Sequence, residues 1–428
     1  MSNRRCLSLL LVLCLLPVLI SCAAKSIDDG RAEHIQKIRI EKLDDLPRHM
    51  YKVPDTAVKL MNDEAQFRDF LTKFEADLIL DLEKYDITDK TTVKNFYALL
   101  TATAMIEDRY DDALKYIQLR RELEDKPDLK LTTGITASAI ISARRQKELA
   151  FEEAFRAELK ANLEKLPYGT VANVVKEIKS GTEIMSENLF IGIILEKVEP
   201  AAKSGEISRD LAETLIYVKM QTKDYLQLKD IIVEEFASYI AANDVKKPDI
   251  WAKRDFSLMD EKPENLKPVN IAIWDSGLDV AVFKDNLWRN IAETPGNDKD
   301  DDLNGFVDDV NGIGFDLHSN KIKDVIYVMD CGQEEVEQGR LFLKGFTDLS
   351  ANLDTREASE LKKHLSSLPA DKVKPFIESI SRYSIYVHGT HVGGIAVNGN
   401  PAAKLLAARM TYDYHMLPEL PTVEQARR

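Results

Sequence analysis

Apolar residues recur along this chain in two different rhythms. From Asp63 onward Phe67, Leu71, Phe74, Leu78, Leu82 and Tyr85 follow one another at spacings of three or four, a stripe down one side of an amphipathic helix. Asn95 to Ile106 sets small residues (Ala98, Ala102, Ala104) among bulky ones, and Glu107-Asp108-Arg109 separates it from Tyr110 to Ile117. That spacing predicts a closely packed helical hairpin. Glu148 to Leu163 reads as a charge-laced helix, and Pro167-Tyr168-Gly169 turns into another at Val171 to Lys179. Leu211 to Met220 leads through Gln221-Thr222-Lys223 into Asp224 to Ile232, a similar hairpin cadence. The rhythm changes after Asn243-Asp244-Val245-Lys246-Lys247-Pro248. Val269 to Trp274 is nearly continuously apolar, as in a strand covered on both faces, and it ends on Asp275 before a turn at Ser276-Gly277. A loop at Asn400-Pro401 precedes another buried strand running to Met410.

These patterns divide the chain into an all-helical domain over 63–245, a linker over 246–266 and a partial α/β domain with a parallel sheet over 267–428, carrying an insertion at 297–380. The helical domain is either a bundle or a repeat module, since the Tyr-x-x-Ala-Leu run at Tyr110 faintly resembles tetratricopeptide-type repeats. Nothing in it looks catalytic: its carboxylates lie along solvated helix faces, and His34 and His49 lack a metal-ligand partner at suitable spacing. It reads as a scaffold or recognition module for a protein partner.

A hydrophobic content of 44% with 30% charged residues is that of a folded chain rather than a disordered one. The formal net charge of -14 excludes an electrostatic grip on nucleic acid or on anionic lipid. At the N-terminus Arg4 and Arg5 precede an apolar run from Leu7 to Ile20, too short for a membrane span, that closes on Leu19-Ile20-Ser21-Cys22-Ala23. It reads as a cleaved export signal over 1–21. The pattern resembles bacterial lipoprotein signals, which implies a lipid on Cys22 as the first mature residue and an exported protein anchored to a membrane, in the periplasm or at the cell surface. A plain secretory signal is the alternative. Residues 22–62 are then a tether and a first short element. Cys6 and Cys14 leave with the signal, so Cys331 remains without an intramolecular disulfide partner.

Asn297 to Gly312 has the D-x-D-x-N-G spacing of calcium loops, with Asp300, Asp302, Asn304 and Asp308 as candidate oxygen ligands. Asn311 stands where a hand-type loop wants a bidentate carboxylate, so the stretch is either a structural calcium site or a solvated turn.

The densest chemistry lies in Tyr386-Val387-His388-Gly389-Thr390-His391-Val392-Gly393-Gly394-Ile395-Ala396. A histidine opening a helix among glycines can aim its imidazole at a cleft with no bulky neighbour in the way. With Asp275-Ser276-Gly277 upstream and the loop and strand at 400–410 downstream, this resembles the subtilisin-like serine peptidases, in which D-[ST]-G and H-G-T-H segments carry an aspartate and a histidine. The resemblance covers about Pro268 to Met410. It implies a serine endopeptidase acting on a peptide or protein substrate, with no cofactor needed for catalysis. His388 would be the general base and Asp275 the group that holds its tautomer. His391 would pack within the helix, Thr390 would support the turn, and Gly389, Gly393 and Gly394 would allow close packing. His318, His364 and His415 read as surface residues.

The family's nucleophile segment, G-T-S-x-A, is missing, since no Gly-Thr-Ser occurs in the chain and 37 residues follow His391. Two members of a triad form no acyl-enzyme, so these 428 residues alone are expected to be inactive. The favoured expectation is the front part of a longer peptidase. The alternative is a non-catalytic, lipid-anchored helical interaction protein with a vestigial protease remnant, and a partner chain supplying the rest is a third reading.

Overall fold

Asp63 starts the first long helix by accepting the N–H groups of Ala65 and Gln66, two of the donors a helix N-terminus leaves open. The helix, Glu64–Lys84, buries Phe67, Leu71, Phe74 and Leu78, the expected stripe, and adds Phe70 and Asp81. A computed structural model describes residues 37–42, 45–245, 256–262, 265–419, 422 and 424. Residues 1–21, read above as an export signal, together with Cys22, His34 and most of the stretch read as a linker at 246–266, lie outside the described residues.

The chain divides into two units, one reaching to Asp244 and including Phe346–Lys374, the other formed by Val245–Gly345 and Pro375–Arg428. The first is helical, with four three-residue strands at its margin: β1 (Ile38–Ile40), β2 (Met50–Lys52), β3 (Tyr85–Ile87) and β4 (Glu206–Ser208). β1 pairs parallel with β3, and β2 antiparallel with β4. Tyr85, the last residue of the expected helical stripe, therefore opens a strand. The stretch read as a tether contributes two strands because Ile40 and Tyr51 find buried places. His49, ahead of β2, is held between two carboxylates, with Nδ1 3.3 Å from Asp77 and Nε2 3.2 Å from Asp81.

Helices Lys90–Ile106 and Tyr110–Leu123 form the expected hairpin, closed by Arg109, which donates to Glu75, Glu107 and Asp112. Helix Phe151–Glu164 packs on Ile135–Arg145, and Tyr168–Glu183 packs on Lys229–Asn243. The second expected hairpin does not form. The backbone stays helical from Arg209–Met220 through a π turn at Gln221–Tyr225 and a 3-10 turn at Leu226–Leu228 into Lys229–Asn243. No glycine or proline interrupts this stretch, and Asp224, directly after the expected turn at Gln221-Thr222-Lys223, is fully buried against Arg144 at 2.6 Å. Burial raises the Asp224 carboxyl above its ordinary value despite that partner. One apolar cluster runs through this unit from Tyr51 to Ile240. The part of the insertion that belongs here includes helix Arg356–Ser367, and Val373 packs where Gly192 leaves no room for a Cβ.

The second unit holds a four-stranded mixed sheet of β5 (Val269–Asp275), β6 (Gly312–Phe315), β7 (Lys321–Ile322) and β8 (Ala403–Met410), in the order β5-β8-β6-β7. β8 runs parallel to both β5 and β6, and β7 closes the edge antiparallel. The expectation that β5 is covered on both faces is overturned. Ile273 is buried, while Asn270, Ala272 and Trp274 alternate to the exposed face, Trp274 at 74% exposure. Ile273, Leu278, Phe283, Leu405 and Ala407 form a cluster on the covered side, with Val392, Ala396 and Val397 packed against it. No helix of the described residues is long and apolar enough to cross a membrane.

Candidate active site

β5 and β8 pair in register from Val269–Ala403 to Asp275–Arg409, so Asp275 stands at the carboxyl end of a parallel pair, where open α/β sheets expose side chains to a crevice. The helix facing it, Val373–Val397, begins well before His388. The histidine therefore does not open a helix, in contrast to the reading from its glycine neighbours, because the residues from Val373 to Val387 carry an uninterrupted apolar pattern of their own.

What the glycines and Ser276 do instead is join strand end to helix. The Ser276 hydroxyl donates to the Ile385 carbonyl at 2.6 Å and accepts from the Gly389 N–H at 3.2 Å. Those two backbone groups would pair with each other in a regular helical turn, so the hydroxyl bridges a rung of the helix beside His388. Gly277, at φ +133°, carries the chain past it in a conformation that L side chains rarely adopt. A Cβ on Gly389 would overlap the Gly277 carbonyl oxygen. Thr390 accepts the Asp279 N–H at 3.0 Å, and Leu278 donates its N–H to the Val325 carbonyl at 2.7 Å. Gly393 faces Leu278, whereas nothing lies within 4 Å of a Cβ built on Gly394, so close packing does not call for glycine there.

This junction brings His388 Nδ1 to 2.7 Å from Asp275 Oδ1. The carboxylate is also fixed by the Ser276 N–H, which donates to the same oxygen at 2.7 Å. The Asp275 side chain is mostly buried and that of His388 is 62% exposed. With Nδ1 on the carboxylate, the neutral tautomer carries its proton there, and Nε2 is left as the basic nitrogen. Among the described residues no hydroxyl is hydrogen-bonded to His388. His391, expected to pack within the helix, is exposed. His318 and His415 are exposed, while His364 is half-buried and burial lowers its pKa.

Sequence reasoning gave no role to Arg409. It is 6% exposed, lies opposite Asp275 in the register, and donates to the Asp324 and Ile326 carbonyls at 3.0 and 2.6 Å. These carbonyls flank Val325, the acceptor for Leu278, so Arg409 holds the segment on which the Asp275 turn rests. A charge following the apolar run Leu405 to Ala408 was the available signal. Cys331 is a half-buried free thiol.

The four candidate cation ligands separate. Both oxygens of Asp308 are taken, by the N–H groups of Gly296, Asn297 and Asp298 and by Lys323, whose ammonium leads the effects that hold this carboxyl below its ordinary value. Asp300 accepts the N–H groups of Asn304 and Gly305 and shapes the turn. Asp302 alone joins a carboxylate group, with Glu293 and Asp309. Compared with known proteins, the chain matches no family model, no curated protein and no solved structure.

Proposed function

We propose that this chain carries the aspartate and histidine of a subtilisin-like serine endopeptidase, a hydrolase of peptide bonds. The supporting observation is the 2.7 Å contact of His388 Nδ1 with Asp275 Oδ1 at the carboxyl end of a parallel strand. In that reaction His388 Nε2 takes the proton of a serine hydroxyl and returns it to the leaving amine, while Asp275 stabilises the imidazolium. On this reading the serine is supplied from outside these 428 residues, which contain no Gly-Thr-Ser. In the same reading the protein is exported and held at a membrane by lipid on Cys22, with the helical unit engaging a protein partner.

A second reading, a lipid-anchored helical interaction protein without peptidase activity, is favoured by one observation: His388 has no hydroxyl partner among the described residues. Hydrolysis of a denatured protein substrate by the protein purified from its own cells separates the two. Cleavage that falls by about 10³-fold or more in both His388→Ala and Asp275→Ala supports the peptidase. Absent cleavage, or cleavage indifferent to both changes, leaves the interaction protein.

A further inference from the structure

We propose that Arg409 is a positioning residue for the Asp275–His388 pair, acting through the backbone of residues 324–327 and not on the reacting atoms. It rests on the reading of that pair as the acid–base centre. Ala403, Leu405 and Ala407, which share its face of β8, are buried and apolar, whereas Arg409 brings a guanidinium there at 6% exposure. Taking a charge out of water is costly, and a buried arginine is ordinarily offset by a carboxylate. None of the hydrogen bonds of Arg409 goes to one. Nη1 donates to the Asp324 and Ile326 carbonyls and Nη2 to the Thr411 hydroxyl at 3.2 Å, while Nε is buried with no partner. Burial holds the guanidinium below its ordinary value. Packing alone favours an apolar side chain at this position, so what the charge adds is its grip on two carbonyls.

The gripped carbonyls flank Val325, whose own carbonyl accepts the Leu278 N–H at 2.7 Å. The same backbone leaves no room beside Gly277. A Cβ built there would stand 2.8 Å from Ile326 Cα, 2.9 Å from the Val325 carbonyl oxygen and 3.0 Å from the Tyr327 nitrogen. Residues 324–327 are therefore the backing of the turn that follows Asp275. That turn sets the carboxylate, because the Ser276 N–H and His388 Nδ1 converge on one oxygen, Asp275 Oδ1, each at 2.7 Å. Arg409 stands opposite Asp275 in the β5–β8 register, so the path from guanidinium to carboxylate closes on itself through the sheet. Its far side is tied as well. The Thr411 hydroxyl that accepts from Arg409 donates to the carbonyl of Phe315, the last residue of β6, at 2.8 Å. A planar guanidinium holds these three oxygens in a fixed arrangement, which a single ammonium on a flexible stem does not.

The test is read in the imidazole, so it stands apart from cleavage. The full chain is compared by NMR with Arg409→Met, which keeps the bulk and removes the charge, and with Arg409→Lys, which keeps a cationic donor. Arg409→Met should speed solvent exchange of the downfield His388 Nδ1 proton and of the Leu278 amide by about tenfold, the loss expected with one hydrogen bond to a charged group. The amides within β5 and β8 should exchange as before. Arg409→Lys should restore part of the protection, and where the purified protein cleaves a substrate, kcat should fall in Arg409→Met with KM unchanged. Unchanged exchange at His388, or protection lost equally across β5 and β8, would overturn the positioning role. If Arg409→Met does not fold, Arg409→Lys decides, since intermediate exchange at both protons supports the role and unchanged exchange overturns it. No downfield proton in the unsubstituted protein would overturn the Asp275–His388 reading itself. A proton that responds as expected in a protein that cleaves nothing upholds the positioning role and overturns the peptidase.

Discussion

The two units are stabilised in different ways. The helical unit is built on apolar side chains that form one cluster over almost two hundred positions, from Tyr51 to Ile240, with phenylalanines 67, 70 and 74 adjacent on one helix. The sheet unit sets Ile273, Leu278, Phe283, Leu405 and Ala407 under its strands, buries Ile377, Ile380 and Ile385 along the helix that carries His388, and adds directed polar contacts at the strand ends. Ser276 joins strand to helix, Arg409 holds a loop through its carbonyls, and Asp308 gathers four donors. Apolar packing is non-directional and tolerates rearrangement, whereas a polar junction depends on single atoms. The unit that carries the candidate chemistry is the one in which a single substitution should move the geometry.

The largest expected effect is in the other unit. Phe74→Ala removes a fully buried ring and should destabilise the helical unit by about 3–5 kcal/mol, measured by denaturant unfolding followed in the helical signal. Hydrogen exchange in β5 and β8 should be unaffected. Equal loss of protection in both units would break the contrast.

Gly389→Ala should be next. The added methyl group meets a backbone oxygen that has no flexible end to withdraw, and overpacking of this kind costs about 1–3 kcal/mol. The expected readout is loss of the downfield imidazole Nδ1 proton in NMR spectra while helical content stays unchanged. Ser276→Ala should cost about 1–2 kcal/mol by leaving the Asp275 turn without its bridge to Ile385 and Gly389. Faster amide exchange at Gly389 checks it, and an unchanged rate would contradict the bridging role.

The smallest effects are in pH dependence, and they have opposite signs in the two units. Asp308 is held below its ordinary value of 3.8, so its contribution is complete above that value and is lost as pH falls through the lower, folded one. Exchange protection at Asp298 and Gly296 should fall in acid, and Asp308→Asn should remove the change. Asp224 is raised by burial, so the unfolded chain gives up this proton at lower pH than the folded one does. Its effect on stability becomes less favourable as pH rises from 3.8 through the raised folded value. Asp224→Asn should remove that slope from unfolding curves of the helical unit.

The same contrast explains what was legible in the sequence. Periodicity reports a face that packs on a large core, so the Phe67 to Leu78 stripe and the Lys90–Leu123 hairpin could be read from spacing alone. Asp275 and His388 stood out because small residues crowd around them, and the structure sets them in contact. The Ser276 bridge was hidden, since a hydroxyl between Asp and Gly looks like turn chemistry until the helix it enters is in place. Glu293 was missed because it lies seven positions before Asp300 and outside the D-x-D-x-N-G spacing, and only the folded loop returns it to Asp302 and Asp309. The uncovered face of β5 could not be foreseen from Val269 to Trp274, because an apolar run looks the same whether one face or two are covered.

The central claim is that Asp275 and His388 serve a serine nucleophile. Its most direct test is labelling of the protein in its own cells with a fluorophosphonate, which reacts with activated serines, together with the intact mass of the labelled species. The account predicts a labelled species well above 48.5 kDa whose labelling is lost in His388→Ala. An unlabelled species at the mass of the lipidated 428-residue chain would contradict it.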